Sequence, residues 1–146
     1  MDSPREIRDG EEFALETLKI YLSENNINAD DLSIKQFPSG YSNLTYFLKS
    51  SSEEFVLRRP PFGAKSLQGG HDMLREYNVL KNLKSQFLKV PDVYLYCDNS
   101  EIIGAPFYLM ERVKGYIIRP NLQQKDSPGK EVIQNVSKSL VSTLVE

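Results

Sequence analysis

Two residues of opposite charge, Arg58 and Glu76, lie where the sequence pattern makes them meet. The run Glu54-Phe55-Val56-Leu57-Arg58-Arg59, closed by Pro60-Pro61, predicts a strand. From His71 to Phe87, the apolar residues Met73, Tyr77, Leu80, Leu83 and Phe87 recur at the spacing of one helix face. Glu76 lies inside that stripe, three residues before Val79 and four before Leu80. A carboxylate there costs free energy unless a cation meets it. Arg58 is such a cation, since a strand's period of two puts it on the face of Val56. A strand cation tied to a helix carboxylate is one way to hold the phosphates of a nucleotide. Taken alone, each residue has a plainer reading: a solvated flank for the glutamate, a sheet-edge cap for the arginine.

A second candidate is the turn Pro38-Ser39-Gly40-Tyr41-Ser42-Asn43. Ser39, Gly40, Ser42 and Asn43 offer backbone N–H groups and hydroxyls without bulk, which close approach to a phosphate needs. An ordinary hairpin loop is the plainer alternative.

The 146 residues suit one domain with a modest core, and 40% hydrophobic with 26% charged content is ordinary for a globular chain. The apolar runs are too short to cross a bilayer, and Met1-Asp2-Ser3-Pro4-Arg5-Glu6 has no signal-peptide core. No membrane partner is expected, and a cytoplasmic location is. Cys97 is the single cysteine, so it forms no internal disulfide; it reads as a small core residue in a reducing compartment. Residues 1–31 hold nine acids and three bases, net −6, while the rest hold eleven and fifteen, net +4. A mildly basic body fits a polyanionic small ligand. It is too weak and scattered for nucleic acid.

Along the chain, Asp9-Gly10-Glu11-Glu12 predicts a helix start, with Asp9 as N-cap and Glu12 as its capping-box partner. That helix runs to about Leu22 and reads as a structural brace. Leu32 to Phe37, Leu44 to Lys49 and Glu54 to Arg59 are three strands of an antiparallel meander. Pro60 to Gly70 is a loop, and the helix carrying Glu76 follows. Val93 to Cys97 is a fourth strand. Ile102-Ile103-Gly104-Ala105-Pro106 then leads into a fifth, Phe107 to Arg112. Asn121 to Gly129 is a polar linker, and a helix begins at Lys130. The expected fold class is α+β: a five-stranded antiparallel sheet with one packed helix, in the order β-β-β-α-β-β, flanked by N- and C-terminal helices. Residues 1–31 form the N-terminal helical extension, 32–115 the nucleotide-binding small lobe and hinge, and 116–146 a linker and helix leading onward.

That layout resembles the N-terminal lobe of a protein-kinase-like fold. Four stretches carry a closer resemblance: Phe37-Pro38-Ser39-Gly40-Tyr41-Ser42-Asn43-Leu44-Thr45-Tyr46, Phe55-Val56-Leu57-Arg58-Arg59-Pro60-Pro61, Arg75-Glu76-Tyr77-Asn78-Val79-Leu80 and the segment from Ile103 to Gly115. Together they resemble the aminoglycoside phosphotransferase / choline kinase superfamily, in its branch related to the domain fused to some acyl-CoA dehydrogenases. The resemblance implies that Ser39, Gly40, Ser42 and Asn43 lie on the nucleotide-phosphate loop and that Val56 roofs the adenine pocket. It implies further that Arg58 contacts phosphate with Glu76 as its helix partner. Arginine replaces the lysine common in kinases, keeping the charge and adding a bidentate fork. Met110 would sit at the back of the pocket. The hinge Glu111-Arg112-Val113 would bond adenine through the Glu111 carbonyl and the Val113 N–H.

In that family the catalytic aspartate and the metal-binding residues lie well beyond the hinge, and residues 1–146 contain no counterpart. No catalytic or metal-binding residue is therefore assigned in this chain. His71-Asp72 precedes the hinge and reads as a helix start. The resemblance implies a nucleotide lobe serving transfer of the γ-phosphoryl of ATP (or GTP), with Mg2+, to a hydroxyl of a small metabolite. The acyl-CoA dehydrogenase association points toward an acyl-type acceptor. This chain alone is expected to be inactive, and to need no cofactor to fold. The alternative is a non-catalytic binding or assembly module that kept the lobe and lost the chemistry. In the C-terminal helix, Val132, Ile133, Val136, Leu140 and Leu144 lie on roughly one face, which offers a homodimer contact or a cover for the cleft.

Overall fold

The computed structural model describes residues 3–38, 42–63, 71–115 and 128–145. Strands β1 (Ser33–Gln36), β2 (Leu44–Lys49), β3 (Glu54–Arg59), β4 (Val93–Cys97) and β5 (Phe107–Glu111) form a five-stranded sheet in the order β1-β2-β3-β5-β4. Every pairing is antiparallel. The β2–β3 and β3–β5 registers place Phe47 beside Val56, Val56 beside Met110, and Arg58 between Thr45 and Tyr108.

The sheet sorts its residues by strand alternation. Tyr46 and Leu48, Phe55 and Leu57, and Phe107 and Leu109 bury on one face. There α1 (Leu15–Glu24) brings Leu18 and Leu22, both fully buried, and α3 (Ser100–Ile103) brings Ile103. Burial of this completeness contributes roughly 1.5–3 kcal/mol per large side chain. Cys97 is buried in the same core as a free thiol. The opposite face carries Val56, Arg58 and Tyr108 and receives α2 (Met73–Lys84). Tyr77 of α2 meets Tyr108 and Tyr96 ring to ring, at centroid distances of 6.5 and 5.9 Å.

Two local expectations fail, each for an identifiable reason. Asp9 does not cap a helix: α1 begins at Leu15 with Ala14 at its N-cap and no side-chain cap. Residues 5–12 are held by the sheet edge instead. Arg5 and Gln36 exchange two backbone hydrogen bonds of 2.8 Å, the buried Gln36 side chain binds Arg8 and Glu11, and the Tyr46 hydroxyl donates to the Glu11 carbonyl at 2.7 Å. Tertiary hydrogen bonds outweigh the capping signal. The connection from β4 to β5, for which no helix is expected, holds the short helix α3, closed by Ile102-Ile103. Asn99 caps its start, and Gly104 ends it at φ 82°, a left-handed conformation that suits glycine. The observed order is therefore β-β-β-α-β-α-β between the terminal helices.

The chain divides into two compact units, Met1–Gly115 and Tyr116–Glu146. In the second, α4 (Lys130–Val145) is a sixteen-residue helix that leaves Val132, Ile133, Val136, Leu140 and Leu144 exposed. Among the described residues, no helix is long and apolar enough to cross a membrane.

Candidate functional site

Strand β3 and helix α2 bring the two predicted partners together. Arg58 Nε lies 3.4 Å from Glu76 Oε2, with both side chains partly shielded at 30% and 24% exposure. Arg58 reaches this point because it shares the α2 face with Val56. Glu76 reaches it because the Asp72 carboxylate caps α2, accepting from the Arg75 N–H at 2.9 Å and fixing the first turn. The contact is ionic: Arg58 Nε donates no hydrogen bond among the described residues.

Glu76 has other partners for both of its oxygens. The Tyr108 hydroxyl donates to Oε2 at 3.0 Å, and Asn43 Nδ2 donates to Oε1 at 2.8 Å. Burial pushes the Tyr108 phenol well above its usual range; Arg58 pulls the other way and Glu76 adds to the rise. Tyr108 therefore remains a proton donor across ordinary pH. Beside the pair lies a cavity of about 370 Å³ lined by Arg58, Arg75, Glu76, Val79, Leu80 and Tyr108. A larger depression of about 630 Å³ runs along the outer side of α2 past Leu74, Val79 and Leu83, but no group of the ion pair lines it.

The remaining predicted residues fall around this centre. Val56 is buried next to Met110 across the β3–β5 pairing. Glu111 ends β5, its N–H donating to the Asp92 carbonyl at 2.8 Å and its carboxylate accepting from the Asp92 N–H at 3.1 Å. Val113 beyond it is exposed. Ser42 is exposed at the entrance of β2, whereas Asn43 turns inward and is buried. Ser39 and Gly40 lie outside the described residues.

Sequence reasoning gave no site role to Tyr108 or His71, and gave Arg112 only a place in the hinge. Tyr108 was available, because it sits two residues before Met110 on the same strand face. His71, read only as part of a helix start, places Nδ1 2.8 Å from Asn43 Oδ1. Arg112 leaves the hinge and lays its guanidinium 4.2 Å from the Phe47 ring centroid and 5.8 Å from that of Phe37. The same guanidinium lies 3.7 Å from Glu54, whose carboxylate also meets Lys114 at 3.0 Å.

The neighbouring Arg59 plays a different part. It faces the opposite side of the sheet, is buried at 1% exposure, donates to the Ile103 and Pro60 carbonyls, and stacks 3.7 Å from the Phe62 ring centroid. Adjacent arginines on one strand thus divide into a site residue and a core residue.

A sequence model of the phosphotransferase enzyme family matches residues 33–142. The chain belongs to that family. Among curated proteins it is 38% identical over 144 residues to acyl-CoA dehydrogenase family member 11 of Rattus norvegicus, covering 95% of this chain and 18% of that protein. It is 37% identical over 103 residues to acyl-CoA dehydrogenase family member 10 of Mus musculus, covering 70% of this chain and 10% of that one. The chain thus spans less than a fifth of the length of these relatives. Among solved structures it resembles a Ralstonia eutropha protein assigned as an aminoglycoside phosphotransferase, with a TM-score of 0.62 and 28% identity over 76% of this chain and 32% of that one. The five-stranded antiparallel sheet with α2 on one face is therefore the kinase-like arrangement of the family.

Proposed function

We propose that this chain is the nucleotide-binding lobe of a phosphotransferase that moves the γ-phosphoryl of ATP (or GTP) to a hydroxyl of a small metabolite. The observation that carries this reading is the Arg58–Glu76 pair at 3.4 Å, buttressed by Tyr108 and Asn43 beside a cavity. Glu76 faces the buried Nε of Arg58 and aims the guanidinium, whose terminal nitrogens would meet a phosphate oxygen. Val56 and Met110 would line the base pocket, with the Glu111 carbonyl and the Val113 N–H at its hinge and Ser39, Gly40 and Ser42 at the phosphates. The names of the relatives favour a hydroxylated acyl-type acceptor.

Mg2+ in such a reaction neutralises phosphate charge. Among the described residues, no group of three or more His, Cys, Asp or Glu side chains forms a metal cage. In this reading the lobe's own task is to bind and orient the nucleotide, and residues 1–146 alone are expected to hold it without turnover. The lobe would work in the cytoplasm.

Titration of MgATP into the purified chain tests the reading. Saturable binding is expected, weakened about tenfold or more by Arg58→Ala, the loss of one charge-assisted contact. Equal affinity for the variant would overturn it.

A further inference from the structure

We infer that Asn43 and His71 are positioning residues for the Arg58–Glu76 pair, acting through a hydrogen-bond relay in which His71 carries its proton on Nδ1. The consequence for binding rests on the nucleotide reading above. The direction of the relay rests on hydrogen-bond chemistry alone.

Asn43 directly precedes β2, and the residue is only 2% exposed. It is turned inward, toward α2. Its Nδ2 lies 2.8 Å from Glu76 Oε1. A carboxylate paired with a guanidinium only accepts hydrogen bonds, so the amide nitrogen, and not the amide oxygen, must face it. The amide oxygen then faces His71 Nδ1, at 2.8 Å. An amide oxygen also only accepts, so His71 Nδ1 must donate. The Nε2–H tautomer with a bare Nδ1 would set two acceptors against each other, and the geometry disfavours it.

The relay ties together two segments distant in sequence: the residue before β2, and the start of α2 from His71 to Glu76. It fixes Glu76 at Oε1, while Tyr108 and Arg58 address Oε2. With both oxygens engaged, the carboxylate cannot rotate away from Arg58. A phosphate group gripped by Arg58 then meets a guanidinium already aimed, with less ordering left to complete on binding. Asn43 also joins the candidate phosphate turn to the helix glutamate, so displacement of either is felt by the other. This role needs no contact between Asn43 and the nucleotide.

Two measurements on the 146-residue chain decide the matter. The first is nitrogen-15 NMR of the His71 ring, which distinguishes a protonated Nδ1 from a bare one. The second is the ratio of ATP affinity to adenosine affinity, because the relay acts on the phosphate end only. Asn43→Asp sets a carboxylate against Glu76, and the ratio is expected to fall about tenfold or more. His71→Ala removes the far end of the relay at a half-buried site without adding charge, and a fall of about threefold is expected. The second variant serves if Asn43→Asp fails to fold. A neutral His71 protonated at Nε2, or ratios within about twofold of the parent in every folded variant, would overturn the relay. A parent chain that binds neither ATP nor adenosine would instead sink the nucleotide reading. The His71 tautomer in the parent chain would then decide the relay by itself.

Discussion

The Tyr108 hydroxyl donates to Glu76 Oε2, the same oxygen that faces Arg58 Nε. Strand β5 therefore braces the ion pair from beneath, and the pair does not rely on charge attraction alone. A half-exposed ion pair is worth little by itself. A buried phenol adds direction at the cost of few mobile bonds. Tyr108→Phe keeps the ring against Tyr77 and deletes only this donor. Loss of about 1–2 kcal/mol of stability is expected, read from the urea midpoint, together with weaker nucleotide binding.

Arg58 and Arg59 supply a paired test of what each face of the sheet does. Arg59→Ala removes a fully buried side chain, strands the carbonyls of Ile103 and Pro60, and exposes a void beneath Gly104. A cost of about 3 kcal/mol or more is expected. Arg58→Ala should cost less, about 1 kcal/mol, since its partner keeps some solvent and its bonds to Asn43 and Tyr108. Denaturant unfolding of the two variants checks both. Similar losses would mean that the faces have been assigned wrongly.

These neighbours also show what was legible in the sequence. Arg58 and Glu76 could be paired because two periods, two in a strand and 3.6 in a helix, each fixed a face, and the faces had to meet. Tyr108 was within reach of the same logic. Asn43 was not, because a turn has no period from which to tell whether a side chain points outward or inward. Nor was the bond from Arg59 to the Ile103 carbonyl, which spans 44 residues. Helix α3 was missed for a related reason: the Asn99 cap and left-handed Gly104 enclose only Ser100–Ile103, too few residues to show a helical period. At the N-terminus the capping signal was genuine, and Gln36 outbid it with hydrogen bonds that no local pattern reveals.

Acid should loosen the chain at two identifiable places. Lys114, and behind it Arg112, hold the Glu54 carboxyl below its usual 4.5, with burial opposing them. Burial also opposes the charge of Glu11, but hydrogen bonds from Gln36 and Arg8 bring its pKa below 4.5 as well. A carboxyl depressed in the folded state contributes stability that is present above the unfolded value and lost as pH falls through the folded one. Thermal midpoints should therefore decline between about pH 5 and about pH 3. Glu54→Gln should flatten part of that decline. An unchanged slope in that variant would contradict the assignment.

The base end of the proposed site yields the last expectation. Arg112 spreads its guanidinium over Phe47, and Phe47 lies directly beside Val56 in the β2–β3 pairing. Val56 is the residue assigned to the roof of the base pocket, so in this structure the guanidinium covers sheet surface that a purine would need. Glu54 holds it there from the side, at 3.7 Å. An incoming base must break the stacking contact, which is worth on the order of 1 kcal/mol at this largely shielded guanidinium. Arg112→Ala removes the obstacle and leaves Glu54 its Lys114 partner. Adenosine affinity should therefore rise by about twofold to fivefold, with the phosphate contribution unchanged because Arg58, faced by Glu76 from α2, lies further along β3. Calorimetric titration of adenosine and ATP into both chains reads this directly. A fall in adenosine affinity would show instead that the guanidinium stacks on the base and is part of the pocket.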